Sequence, residues 1–275
     1  MVRTSQPTEL TVQAQINGIT LAFNDQGAGL PLVFLHAFPL NRTMWADQEQ
    51  SLSSQFRVIT MDLRGHGESD APLWRYTLDQ AADDVIGLLN HLSIQQAVFV
   101  GLSMGGYILF ALCRTYADRI KGLVLADTRA QADTAEGKAA RFQMAQTAYR
   151  KGPSAVADIM IPKLLSPSTI QTKPELVQRV RRMIEGNQIS GIAGDLMAMA
   201  ERPDSVPLLK QITCPTQIIV GEDDLPTPPA DAKLMAGQIP DTRLAVIPAA
   251  AHLSNLEQPD SFSEIVRAFA FGLPR

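Results

Sequence analysis

Two cysteines in 275 residues are too few for a disulfide framework. Neither Cys113 nor Cys214 has metal-ligand spacing to another Cys or His, so both read as small core residues and no metal site is expected. Long apolar runs are also missing. None approaches the roughly 20 residues needed to cross a membrane, and the opening MVRTSQPTEL lacks the apolar core of a secretion signal. The expectation is a soluble, cytoplasmic protein with no membrane partner. Charge is modest, at 19% of residues with a net value of -4, which argues against a nucleic-acid binder. Low-complexity tracts are absent, which argues against disorder. The 45% hydrophobic content is enough for a sizeable core, in one large domain or a domain with an insertion.

Strand signals dominate the first part. Residues 11–16 and 19–24 flank Asn17-Gly18, a hairpin signal. Residues 32–36 are a short apolar run of the buried-strand kind, and 56–62 predict a further strand followed by the loop RGHGES. In 79–92, Ala82, Val85, Ile86 and Leu89 recur at helical spacing. A strand at 98–101, a helix at 104–116 and a strand at 120–126 follow. Such alternation predicts crossover connections and a parallel sheet. Residues 129–210 hold no strand signal and read as several helices punctuated by Pro153, Pro162, Pro167, Pro174 and Pro203. Alternation then resumes with strands at 216–220 and 243–247 and helices from 228 and from about 259 to 271. The simplest organisation is an α/β core, residues 1–128 and 211–275, with a helical insertion over 129–210. The insertion carries twelve Lys/Arg against eight Asp/Glu and the remainder twelve against twenty. A basic insertion over an acidic core hints at an anionic substrate.

The segment GLSMG, residues 101–105, fits G-x-S-x-G between a predicted strand and a predicted helix, the context of a nucleophile elbow. A phosphate loop is excluded, because no Lys-Ser/Thr pair follows the glycines. Serine at its ordinary pKa is a poor nucleophile and needs a base held by a third group. The chain has four histidines. His91 ends a helix, His66 lies in RGHGES and His36 ends a strand, whereas His252 follows the last strand, where this fold order puts the base. The acid belongs in the loop GEDDLPTPP after strand 216–220. Neighbouring side chains in an extended segment point opposite ways, which leaves Asp223 and Asp224 equal on spacing; Asp127 is an outside candidate. Thr227 reads as a helix cap, with Pro228 at the first helical position. Oxyanion donors are expected from the amide of Met104, at a helix N-terminus, and from that of Phe38 in HAFP, since Pro39 has no N–H.

HAFP, DLRGHGES, GLSMGG, VGEDDLPTPP and AAHLSNLEQP together span nearly the whole chain and resemble the α/β-hydrolase superfamily. The likeness is nearest to 3-oxoadipate enol-lactonases and similar small esterases. It implies an α/β-hydrolase fold, with a mostly parallel eight-stranded sheet and a helical cap inserted after strand six. It also places the acid on Asp224, leaving Ser103, Asp224 and His252 as the catalytic set. The implied reaction opens a small ester or lactone without a cofactor. Candidate substrate contacts are His36, Trp74 and Arg129, with Arg141, Arg181 and Arg182 elsewhere in the insertion. Ala37 departs from the resemblance, which has glycine there. The same scaffold also serves perhydrolases, C–C bond hydrolases, lyases and non-catalytic ligand-binding proteins. Members with an Asp nucleophile, such as epoxide hydrolases, are disfavoured by Ser103.

Overall fold

The computed structural model describes residues 12–73 and 75–274. Thr11 of the first expected strand and Trp74 lie outside them. Strands β1 (Val12–Ile16) and β2 (Ile19–Gln26) pair antiparallel across the Asn17-Gly18 turn. Both turn residues have positive φ, 50° and 80°, as a two-residue hairpin of this twist needs. β3 (Pro31–Leu35), β4 (Arg57–Met61), β5 (Ala97–Leu102), β6 (Ile120–Ala126), β7 (Thr216–Gly221) and β8 (Thr242–Ile247) complete an eight-stranded sheet of order β1-β2-β4-β3-β5-β6-β7-β8. β2 runs against both of its neighbours, and every pairing from β4 to β8 is parallel. Every residue of β5 and β7 is buried, the mark of strands covered on both faces. The α/β-hydrolase sheet expected from the motifs is therefore present, with strand ends displaced by a residue or two. His36, for example, falls just past β3.

Helices fill both faces. α1 (Ala46–Leu52), which sequence reading did not foresee, follows a short 3₁₀ turn capped by Asn41. α2 (Leu78–His91) starts where the Thr77 side chain accepts from the Gln80 N–H. It buries the expected stripe of Ala82, Val85, Ile86 and Leu89, of which each larger aliphatic contributes about 1.5–3 kcal/mol. α3 (Met104–Thr115) leaves β5 directly.

Between β6 and β7 come α4 (Ala135–Leu164), α5 (Pro167–Thr172), α6 (Pro174–Glu185) and α7 (Ile189–Ala200). α4 is broken at Gly152, with φ 79° and ψ 177°, directly before Pro153. Pro167 and Pro174 open their helices, where the missing N–H costs nothing. Pro162 differs from its expected role as a breaker, for it sits within the last turn of α4. After β7 come α8 (Pro229–Ala236), α9 (Ser254–Glu257) and α10 (Pro259–Phe271). Among the described residues, no helix is long and apolar enough to cross a membrane.

Hydrogen bonds and ion pairs join the inserted helices to the sheet layer on more than one side. On one side, Ser190 Oγ donates to Ala71 O at 3.3 Å and Arg179 pairs with Asp47 at 2.8 Å. On the other, Leu253 N–H donates to Leu164 O at 3.1 Å and Lys173 Nζ donates to Glu257 O at 2.8 Å. The first junction is tight: a Cβ on Gly191 would stand 1.8 Å from Gly65 O. Gly191→Ala is therefore expected to push the two backbones apart and destabilise by about 1–3 kcal/mol, the range for overpacked cores. Thermal unfolding of the two proteins checks this, and an unchanged midpoint would contradict the close contact.

Candidate active site

Ser103 stands at the step from β5 to α3 with φ 55° and ψ -110°, a left-handed backbone uncommon for a residue with a Cβ. Small neighbours permit the step. A Cβ on Gly101 would lie 2.6 Å from Gly105 C, and one on Gly105 would lie 2.3 Å from Leu35 O. The turn is held by Ser103 N–H donating to Ala126 O at 2.9 Å and by Thr128 Oγ1 donating to Ser103 O at 2.8 Å. The serine hydroxyl is thereby presented at the carboxyl ends of the parallel strands, where α/β sheets place their ligands.

His252 Nε2 lies 2.8 Å from Ser103 Oγ, and its Nδ1 lies 3.0 Å from both carboxylate oxygens of Asp224. Asp224 and His252 are buried, while Ser103 retains 9% exposure toward the cavity. With Nδ1–H donating to Asp224, Nε2 is left to accept from the serine hydroxyl. In the GEDDLPTPP loop Glu222 and Asp223 are exposed, and Asp224 turns inward to meet His252. Thr227 corrects its expected role as a helix cap. Its N–H and hydroxyl both donate to Asp224, at 3.0 and 2.7 Å, and α8 starts only at Pro229. The hydroxyl that would have capped the helix is spent on the Asp224 carboxylate.

Two further buried carboxylates hold these loops. Asp127 accepts from Gly221 N–H at 2.7 Å and from the Ser254 hydroxyl, so it joins the strand end before Asp224 to the segment after His252. Burial, and then the charge of Asp224, push its carboxyl well above the ordinary range against the hydrogen bonds it receives. Glu257 accepts from Ala251 N–H at 2.7 Å and from Ser166 N–H at 3.0 Å, so it links the His252 loop to the inserted helices. Its place in AAHLSNLEQP was the available signal.

The amides of Phe38 and Met104 both have no acceptor among the described residues. Met104 opens α3, where the first N–H groups lack intrahelical partners. Ala37 is not among the residues with positive φ, so alanine fits there without the conformational freedom of glycine.

Above Ser103 and His252 opens a cavity of about 500 Å³. Met144, Met160, Leu164, Leu196 and Met199 give it an apolar wall, and Arg129, Asp133, Arg141 and Lys163 a charged one. Asp133 gathers three guanidiniums: Arg129 at 2.8 Å, Arg202 at 2.8 Å, and Arg141. Arg202 lies 4.1 Å over the Tyr107 ring. Lys163 makes no ion pair among the described residues. The cavity wall is thus net positive.

The other expected contacts divide. Arg129 lines the cavity, and Trp74 lies outside the described residues. His36 does not line the cavity, which corrects its expected place as a substrate contact. It is fully buried, with Nδ1 3.0 Å from Ala37 O and Nε2 accepting from Leu63 N–H at 3.0 Å. Burial and then His66 hold it well below its ordinary pKa, hence neutral. Arg181 pairs with Asp158 and Glu185 away from the cavity, and Arg182 is exposed. Cys113 and Cys214 are half-buried thiols pushed up, chiefly by burial, to about 12 and about 11. Among the described residues, no group of three His, Cys, Asp or Glu could hold a metal ion.

A family model described as the alpha/beta hydrolase fold matches residues 31–259. The chain is 33% identical over 258 residues to 3-oxoadipate enol-lactonase 2 of Acinetobacter baylyi, covering 94% of this chain and 95% of that one. It is 43% identical to a thermophilic esterase from Thermogutta terrifontis solved with malate bound, with a TM-score of 0.92 over 95% of this chain and 98% of that one. It is 32% identical to the enol-lactonase of Burkholderia xenovorans LB400, with a TM-score of 0.89 over 94% and 100%.

Burial raises the Asp133 carboxyl, but hydrogen bonds from Arg141 and Arg202, with their charges, outweigh it and hold the group well below its ordinary value. Its stabilisation is therefore full above the unfolded value near ~3.9 and is lost as pH falls through the lower folded value. Asp133→Asn is expected to lower the melting temperature most at neutral pH. The gap to the wild type should close as the pH drops below that window. A gap independent of pH in melting scans would show that the charge is not what matters.

Proposed function

The chain is an enzyme of the α/β-hydrolase family, and we propose that it hydrolyses a small carboxylic ester or lactone through an acyl-enzyme on Ser103. The observation that carries this is the unbroken chain Ser103–His252–Asp224, at 2.8 and 3.0 Å, beneath a cavity with one apolar and one charged wall. Ser103 Oγ attacks the carbonyl carbon as His252 Nε2 takes its proton. Asp224 keeps Nδ1 protonated and stabilises the imidazolium, and Thr227 fixes the rotamer of Asp224. Negative charge on the carbonyl oxygen is met by the Phe38 and Met104 amides, the second aided by the dipole of α3. His252 then hands the proton to the leaving alkoxide. Water, deprotonated by the same imidazole, attacks the acyl carbon and frees Ser103. No metal or organic cofactor enters this cycle.

In this reading residues 1–128 and 211–275 form the catalytic core and 129–210 a cap that shapes the cavity. Arg129, Arg141 and Lys163, set against Asp133 as the carboxylate among the described lining residues, leave the wall net positive and partly desolvated, a costly arrangement without an anion. A substrate carrying a carboxylate away from the scissile bond supplies that anion. The lactonase names among the relatives agree with a small oxygen ester as the reacting group.

Ser103→Ala is expected to lower kcat on p-nitrophenyl acetate by about 10⁴–10⁶-fold, as in other triads. Asp224→Asn should cost about 10⁴ and Asp223→Asn almost nothing. Undiminished turnover by the Ser103 variant, or greater loss at Asp223, would overturn the assignment. A panel pairing carboxylate-bearing lactones with neutral short-chain esters tests the charge argument. Arg129→Ala should raise KM for the acidic members and spare the neutral ones.

A further inference from the structure

The turn that presents the Phe38 amide is not held by the sheet layer alone. Ala37 to Leu40 fold back on themselves, with Leu40 N–H donating to Ala37 O at 2.8 Å. The carbonyls of Pro39 and Leu40 point away from the cavity into the inserted helices. There they meet Asn187, in the short gap between α6 and α7. Asn187 Nδ2 donates to Pro39 O at 2.7 Å, to Leu40 O at 3.2 Å and to Met183 O at 3.0 Å, while its Oδ1 accepts from Gly67 N–H at 2.8 Å. The side chain is buried, with 4% exposure for the residue. One primary amide thus joins the turn after β3, the loop after β4 and the end of α6.

The surroundings leave this contact little freedom. Gly191 is pressed onto Gly65 on one side, and His66 Nε2 meets Asp195 of α7 at 2.7 Å on the other. The His66 ring lies edge-on to Phe38, with centroids 6.4 Å apart. An asparagine is suited to the place, because the three carbonyls require a donor and the Gly67 amide an acceptor; leucine would supply neither and aspartate only the second.

We propose that Asn187 is a positioning residue of the inserted helices that aims the Phe38 amide at the reacting carbonyl oxygen. The consequence is that the insertion completes the oxyanion site as well as enclosing the substrate. Asn187 touches neither substrate nor reacting atoms. Its effect is confined to the state in which the oxygen carries negative charge, because the donor direction matters most there. The proposal rests on the acyl-enzyme reading above and on Phe38 N–H as a donor.

The test compares wild type, Asn187→Ala and Asn187→Asp, each normalised to the sites that a fluorophosphonate titrates. Asn187→Asp keeps an acceptor for Gly67 and the side-chain volume but loses the donors to the turn. The expected result for both variants is a fall in kcat per titrated site of about 10–100-fold, the scale of a displaced catalytic group, with KM within about twofold. The inhibition constant for a phenylboronic acid, whose tetrahedral adduct places oxygen in the oxyanion site, should rise by the same factor as kcat falls. Inhibition by benzoate, which forms no adduct, should not move. A variant that loses titratable sites but keeps kcat and boronate affinity per site would overturn the proposal and make Asn187 a structural residue only. An arm on the wild type does not depend on variant folding: in ¹⁵N spectra the Asn187 side-chain amide should shift on boronate addition and stay in place with benzoate, and an unmoved signal counts against the proposal. Wild-type enzyme that a fluorophosphonate fails to label at Ser103 would instead remove the acyl-enzyme reading beneath it.

Discussion

The close approach of α3 to the strands beneath it is the constraint on which the rest of the site depends. Ser103 holds a backbone conformation that costs an L-residue about 1–3 kcal/mol, and its neighbours make every alternative worse. Gly101 and Gly105 touch where no Cβ would fit, and Leu35 closes the space from β3. Buried strands on either side and hydrogen bonds from Ser103 N–H and Thr128 fix the turn. The sheet therefore supplies the stability that the strained residue spends. The same packing sets the first turn of α3 against the end of β3, so that Ser103 and Phe38 border one cavity.

Around that point the three loops are fastened to one another. Asp127 ties the Asp224 loop to the segment after His252, Glu257 ties the His252 loop to Ser166, and Thr227 clamps Asp224. Each tie uses a buried acceptor against backbone amides or hydroxyls, so directions are fixed as well as distances. A site on rigid ties has little reorganisation left to do when charge develops in it.

Much of this was legible in the chain because the decisive groups sit in short local signatures. A strand, a serine between glycines and a helix are consecutive in sequence, and the order Ser103, Asp224, His252 follows the strands that carry them. What local pattern could not separate was Asp223 from Asp224, since alternation along an extended loop is symmetric until burial chooses a face. His36 misled for a related reason. Its place at a strand end suggested the cavity, whereas its ring is fully buried and is used up on Ala37 and Leu63. Arg202 reaches the Asp133 cluster, and Pro39 and Leu40 reach Asn187, from segments far apart in the chain, so no window of sequence contains these pairings.

The break in α4 at Gly152 divides the inserted helices in a way that bears on how such an enzyme changes its substrate. The half before the break carries Arg141 and Met144 and the half after it Met160, Lys163 and Leu164, all of which line the cavity; Leu164 also accepts from Leu253, next to His252. A continuous rod would transmit a rotation at one end to the other. With Gly152 between them, each half of α4 lines its own stretch of the cavity, so the stretch around Arg141 and Met144 can be redrawn by substitution while Leu164 keeps its hold on Leu253.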